Sequence, residues 1–172
     1  AASVNGDDET TTPHQMTLSD YVVRCQVIAQ EPTDYAGVFL RGQPPLLHEQ
    51  AYVLWLAYSS DIVYIFRHDA PGVYYIIAGE PMTLNYDQAY WIRFDCLGGM
   101  ISGKVWQGTP ADEPAEYLLQ TSDHTYTEPG CMGLVGSVEY SPFEIVVAFD
   151  DVNIESWVGL DSGTWGSIKT VY

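Results

Sequence analysis

Residues 90–108 read YWIRFDCLGGMISGKVWQG, from Tyr90 to Gly108. Two apolar runs flank Gly98-Gly99, the turn chemistry of a β-hairpin with a very short loop. The hairpin carries unusual cargo for its position. Arg93 lies inside the first apolar run, and Lys104 lies between Gly103 and Val105-Trp106. The whole chain has six basic residues, so two of them on one hairpin ask for a reason.

On either side of this hairpin the chain repeats one pattern, short apolar runs separated by turn residues, with almost no helical periodicity. That pattern predicts an all-β sandwich. Strands are expected at Tyr21–Ala29, Gly37–Arg41, Ala51–Tyr58, Ile62–His68, Val73–Ala78, Tyr90–Leu97, Gly99–Trp106, Gly133–Val138 and Glu144–Ile154. Turns at Ser59-Ser60-Asp61 and Asp69-Ala70-Pro71-Gly72 make residues 51–78 a three-stranded meander. The first expected strand alternates, with Val23, Cys25 and Val27 opposite Arg24 and Gln26, which suits one buried and one wet face. The meander strands are apolar or aromatic on both faces, so something must cover both. Residues 107–131 carry Pro110, Pro114 and Pro129 and read as a long ordered loop crossing between sheets.

The chain of 172 residues fits one domain with a substantial core. It is expected to have a polar N-terminal arm at 1–20, a sandwich at 21–156, and a tail at 157–172 that supplies a donated or permuted strand or is a plain turn-rich end. The formal net charge is −17. Such a field repels phosphate backbones and anionic lipid surfaces, which argues against nucleic-acid and membrane partners. No apolar run approaches the roughly 18 residues that span a bilayer. The polar start AASVNGDDETTTPHQ is no signal peptide, so secretion implies a signal already removed or another route, such as a virion. Cys25, Cys96 and Cys131 are widely spaced, odd in number and free of any C-x-x-C pattern, as expected of small apolar residues.

A larger pattern emerges when the pieces are read in order. Trp91 and Arg93 share a strand, a glycine turn follows, then Gly103-Lys104-Val105-Trp106, Glu113-Pro114, Asp123, Gly130 with Gly133, and Phe149-Asp150-Asp151-Val152. From about Tyr21 to Ile154 this resembles the concanavalin A-like, or laminin-G-like, β-sandwich superfamily. It is most similar to the versions found in bacteriophage structural proteins and secreted carbohydrate-associated proteins. The resemblance implies an all-β, two-sheet antiparallel jelly roll. One departure stands out: the segment rich in Trp, Asp and Gly that precedes the first strand in that family is missing here, and WVGLDSGTWG at 157–166 echoes it at the opposite end.

Four side chains are assigned as structural pins. Arg93 and Lys104 lie on adjacent strands near Glu113 and Asp123, and a guanidinium paired bidentately with Glu113 or Asp123 would fasten the long loop. The competing reading has the two cations holding a ligand's carboxylate or hydroxyls. Asp150 shares its expected face with Val146, Ala148, Val152 and Ile154; a carboxylate there needs a hydrogen-bond partner or an ion, which makes it a weak calcium candidate. No other cofactor is expected. Asp151, Asn153 and Glu155 alternate on the opposite face, a poor match to the E-x-D-x-E strand of retaining glucanases in the superfamily. His14, His48, His68 and His124 are scattered, and no G-x-S-x-G or phosphate-binding motif occurs.

Aromatic residues are the remaining resource, with 13 Tyr and 5 Trp. Trp55, Trp91 and Trp106 are assigned to packing. Tyr58, Tyr64 and Tyr74 on the meander are the candidate ligand-binding residues, because exposed rings stack on sugars and also form dry protein interfaces. The expected function is a non-enzymatic binding or assembly module on a virion or extracellular surface, recognising glycans or neighbouring subunits in an oligomer. The alternatives are a free carbohydrate-binding lectin and a glycoside hydrolase of the same fold.

Overall fold

The computed structural model describes residues 7–15, 19–139, 146–156 and 162–164. Twelve antiparallel strands form two six-stranded sheets. They are β1 (Asp7–Gln15), β2 (Tyr21–Gln30), β3 (Tyr35–Gly42), β4 (Ala51–Ala57), β5 (Ile62–Ala70), β6 (Val73–Pro81), β7 (Tyr90–Leu97), β8 (Met100–Trp106), β9 (Leu119–Ser122), β10 (Cys131–Glu139), β11 (Val146–Ser156) and β12 (Ser162–Thr164). The first sheet runs β1-β10-β3-β4-β5-β6 and the second β12-β11-β2-β7-β8-β9. This is a jelly-roll β-sandwich of the concanavalin A-like type.

The opening hairpin is β7–β8. Its register pairs Trp91 with Trp106, Arg93 with Lys104 and Leu97 with Met100, leaving Gly98-Gly99 as a two-residue turn. Gly98 has φ +55°, a left-handed conformation that glycine adopts at little cost. Gly103 on β8 has a different role. A Cβ there would lie 2.3 Å from the Leu54 Cδ1 of the opposite sheet, so its bareness is the socket that lets the sheets close.

The core lies between the sheets. Val38, Leu54, Leu56 and Ile65 of the first sheet meet Val23, Val27, Ile92, Phe94 and Ile101 of the second, all buried. A second apolar cluster lies on the outer face of the first sheet, where Phe39, Val53, Trp55, Phe66 and Val135 pack with Tyr35, Leu47 and Tyr64. The short 3₁₀ turn His48–Gln50 and its preceding loop lie over part of this face, with Leu47 packed in the cluster and His48 6.0 Å from the Phe39 ring. This covers the outer faces of β4 and the first half of β5, whereas β6, the third strand of the meander, stays exposed and the expectation of cover on both faces fails there.

Several expectations need correction. Residues 7–15, expected to belong to a polar arm, form β1 and pair with β10 along its whole length, from Asp7↔Glu139 to Gln15↔Cys131. The 157–172 tail needs no such correction: Ser162–Thr164 forms β12 and pairs with β11 of the same chain, a strand supplied in cis; residues 157–161 and 165–172 lie outside the described residues. The long segment after β8 is not one crossing loop. It first adds β9 to the second sheet and only then, over 123–130, crosses to β10 of the first.

The strand β11 also differs from simple alternation. A bulge at 151–152, with Asp151 at φ +50°, shifts the register between Asp150↔Gln26 and Asn153↔Arg24. Val147, Phe149, Val152 and Ile154 face the core, whereas Val146, Ala148 and Asp150 are half-buried and outside the core cluster. The expectation that Val146, Ala148 and Asp150 share the buried face of Val152 and Ile154 fails for this reason: two residues of β11 oppose one of β2.

Candidate functional site

The outer face of the second sheet is a closed polar network. Arg93 Nη1 donates to Glu113 Oε1 at 2.9 Å, and its Nε reaches Asp95 at 2.9 Å. Lys104 Nζ donates to the same Glu113 oxygen at 2.9 Å and to the Pro114 carbonyl at 2.7 Å. Arg24 completes the arrangement, with Nε 3.2 Å from Glu113 Oε2 and Nη1 2.7 Å from Glu155 Oε1. Tyr117 donates to Asp95 and lies under both cations, 4.9 Å from Lys104 Nζ. Burial opposes ionisation of Glu113, yet hydrogen bonds from Lys104 and Arg93 and the charge of Arg24 bring its pKa down to about 2.

This network fastens the 107–118 segment over the sheet. Trp91 and Trp106 stack 6.2 Å apart beneath it, and their indole N–H groups donate to the carbonyls of Gly108 and Thr109. Arg93, Lys104 and Glu113 therefore come together as pins. Asp123 does not join them. It lies near the opposite rim with Arg67, whose Nη1 donates to Asp123 Oδ2 at 2.7 Å, and with the Tyr52 hydroxyl at 2.7 Å. Burial raises the Asp123 pKa, but bonds from Tyr52, Thr125 and Arg67 outweigh it and hold the carboxyl at about 2. Arg41, for which sequence reasoning found no role, is fully buried and holds the hairpin turn: Nη1 donates to the Gly98 and Tyr126 carbonyls at 2.7 and 2.8 Å.

The three candidate tyrosines separate. Tyr58 directly follows β4 and faces into the sandwich, 6% exposed, stacked on Tyr86 at 5.2 Å and edge-on to Tyr90. Burial pushes its hydroxyl pKa well up, and among the described residues that hydroxyl has no hydrogen-bond partner. It is a core residue, not part of a binding face. Tyr64 and Tyr74 lie on the outer face of the first sheet in one run of rings. Tyr64 packs on Phe66 at 5.2 Å, Phe66 meets Tyr74 at 5.4 Å, and Tyr74 stacks on His68 at 5.6 Å and 27°.

Tyr74 belongs to the least covered part of the described molecule. Val73, Tyr74, Tyr75 and Ile76 are 43, 56, 50 and 58% exposed, consecutive on β6. Tyr75 points to the other side of the ribbon, where the Arg67 guanidinium stands 4.9 Å over its ring. Arg67 is gripped by Asp69 through two bonds, 2.8 and 3.1 Å, and by Asp123. The Tyr126 hydroxyl donates to the His68 carbonyl at 2.8 Å and reaches Asp69 at 3.2 Å. The β5–β6 ribbon thus offers one exposed ring on each face, flanked on one by an imidazole and on the other by a rigid guanidinium–carboxylate cluster. Sequence reasoning missed Tyr75, Arg67, Asp69 and Tyr126. The R-H-D run at 67–69, which sets Arg67 and Asp69 two residues apart on one side of a strand, was the available signal.

Asp150 is half-buried at the bulge and accepts the Asp151 N–H at 2.8 Å. Among the described residues no group of three or more His, Cys, Asp or Glu side chains has the arrangement of a metal site. Asn153 and Glu155 do share a face, with Asn153 Nδ2 donating to Glu155 Oε1 at 3.0 Å, but Asp151 projects from the bulge and does not continue their row. The three cysteines are buried free thiols.

The architecture belongs to a known class. The chain is similar to the carbohydrate-binding module CBM66 from Bacillus subtilis, at TM-score 0.65 and 15% identity over 90% of this chain and 84% of that one. It is also similar to part of a xylan β-1,4-xylosidase from Bacillus halodurans C-125, at TM-score 0.63 and 12% identity over 87% of this chain and 30% of the other. The galectin LEC-6 of Caenorhabditis elegans matches at TM-score 0.53 and 12% identity over 81% of this chain and 98% of the galectin. At these identities the likeness establishes the fold. No family model matches the chain, and no curated protein sequence matches it.

Proposed function

We propose that the protein is a non-enzymatic, lectin-like module that binds neutral glycans on an extracellular or virion surface. The observation that carries this reading is the exposed β5–β6 ribbon, with Tyr74 on one face and Tyr75 beside Arg67, Asp69 and Asp123 on the other. A pyranose presents apolar C–H faces and equatorial hydroxyls. Open rings take the former, and fixed carboxylates and an imidazole take the latter. Two structural neighbours, a carbohydrate-binding module and a xylosidase, support the same substrate class.

The preference for neutral sugars follows from charge. All five described basic side chains, Arg24, Arg41, Arg67, Arg93 and Lys104, already pair with carboxylates. None is left to receive an acidic sugar, and the net charge of −17 repels one. The non-enzymatic reading rests on Glu155. Arg24 and Asn153 hold it, and the same Arg24 holds Glu113, so these two carboxylates grip a cation instead of flanking a cleft. The extended apolar edge of β6 favours a second reading, an assembly module whose partners are other surface or virion subunits.

Affinity electrophoresis through gels holding β-glucan, xylan, fructan, galactan or mannan tests the proposal. At least one should retard the protein, and Tyr74→Ala should weaken that retardation at least tenfold. Migration unaffected by every neutral polysaccharide would overturn it, as would retardation that Tyr74→Ala leaves intact.

A further inference from the structure

We infer that the edge of β6, unpaired among the described residues, pairs with β6 of a second copy, antiparallel about a two-fold axis, joining the first sheets of two molecules into one. The two open sheets present four edges, β1, β6, β12 and β9. An unpaired edge strand is a template for further pairing unless it is short, charged or broken by proline. The edge β1 carries Asp7, Asp8 and Glu9 and has Pro13 in register with Gly133. The second sheet ends in β12, three residues long, and β9, four residues long. Those three edges are blunted in recognised ways. The fourth, β6, has one interruption, a bulge at Ile77 where the register steps from Ile65↔Ala78 to Phe66↔Ile76, and Val73–Ile76 run unbroken before it. β6 is nine residues long, holds one charge, Glu80, and has its sole proline at its last position, Pro81.

Side-chain exposure points the same way. Val73 to Ile76 form a continuous exposed apolar stretch on that edge. Their side chains stand on the two faces of the ribbon, so edge pairing covers only their flanks, and the contact is carried mainly by backbone bonds along a strand edge of about 30 Å. Charge selects the occupant. With a net charge of −17, two copies repel almost everywhere. Residues 73–79 contain no charged side chain, so this edge is where a second copy meets least repulsion. Isologous pairing also needs the same patch on both partners, which one uncharged, self-complementary strand provides.

Edge pairing leaves both faces of the ribbon open. Two Tyr74 platforms then lie side by side on one continuous sheet, and a polymer can span them. The dimer does not rest on the glycan reading, because the edge argument uses no ligand.

Sedimentation equilibrium from about 1 to 200 µM tests it, with Ile76→Glu as the variant. Ile76 is more than half exposed, so the substitution is compatible with folding, and a thermal melt checks that. The wild type should move from 19.2 kDa toward twice that mass, and further at 0.5 M than at 0.05 M salt as repulsion is screened. Ile76→Glu should shift the dissociation constant at least thirtyfold. A wild type that stays at single mass throughout overturns the inference. A dimer that survives Ile76→Glu also overturns it, including one lost only on removing residues 157–172, which would place the contact in the tail. Loss of glycan retardation with the dimer intact would sink the binding proposal alone.

Discussion

The two outer faces of this sandwich are built from opposite materials. On the second sheet, Arg24, Arg93, Lys104, Asp95 and Glu113 are all matched to one another beneath the 107–118 segment. On the first sheet, the β5–β6 ribbon leaves rings in the open, with nothing among the described residues laid over Tyr74 or Ile76. Charged residues usually draw attention as functional and apolar ones as structural. Here the charges satisfy each other and hold a segment in place, while exposed aromatic surface is what remains available to a partner.

Acid should strain this division most. Glu113 and Asp123 both have folded pKa values of about 2, below the usual carboxylate range. A depressed pKa contributes stability above the unfolded value and loses it as pH falls through the folded one. The stability from both groups is thus present above about pH 4.5 and lost toward pH 2, on the order of 5 kcal/mol together at most. Chemical denaturation at pH 6, 4 and 2.5 measures this; a flat profile would mean that the pins contribute little. Next, Glu113→Ala leaves Arg93, Lys104 and Arg24 short of a partner at once. It should cost about 3 kcal/mol, a melting temperature lower by about 6–12 °C, with glycan retardation unchanged. Reduced retardation at full stability would reverse the roles of the two faces.

Smaller effects sharpen the contrast. Tyr58→Phe removes a buried hydroxyl that has no described partner, so the protein should gain about 1 kcal/mol, seen as a higher melting temperature. A loss would mean that the hydroxyl is satisfied. Tyr74→Ala, the variant that should weaken retardation at least tenfold, ought to change stability by less than about 0.5 kcal/mol, since more than half of the ring is in solvent.

Much of the fold was legible because it is written in apolar runs and turn residues. The hairpin around Gly98-Gly99, the 51–78 meander and nine strands are visible in the sequence at nearly their observed positions. What escaped was held by other forces. DDETTTPHQ has no apolar alternation, and β1 exists because its backbone completes the edge of β10. LQTS and SGT are too short to show any period. The loop pins were half legible. Glu113 is near Arg93 and Lys104 in sequence, but Arg24 joins from 89 residues away and Asp123 turns to Arg67 across the fold. Tyr58 was misassigned because both faces of β4 are apolar and the sequence does not say which is inward; Tyr58 continues the row of Tyr52, Leu54 and Leu56, and that row meets the second sheet.

The bulge in β11 has a consequence for how this strand can change. Odd-numbered residues face the core before Asp151 and even-numbered ones after it, so the bulge acts as a parity switch in mid-strand. Deleting that single residue would restore one parity throughout. Val147, Phe149, Val152 and Ile154 would all stay inward, with Val152 opposite Cys25, and Asp150 would join Asn153 and Glu155 in one outward row. An unbroken row of outward carboxylates, which a glucanase strand requires, is therefore separated from this sequence by a change of length as well as of residues.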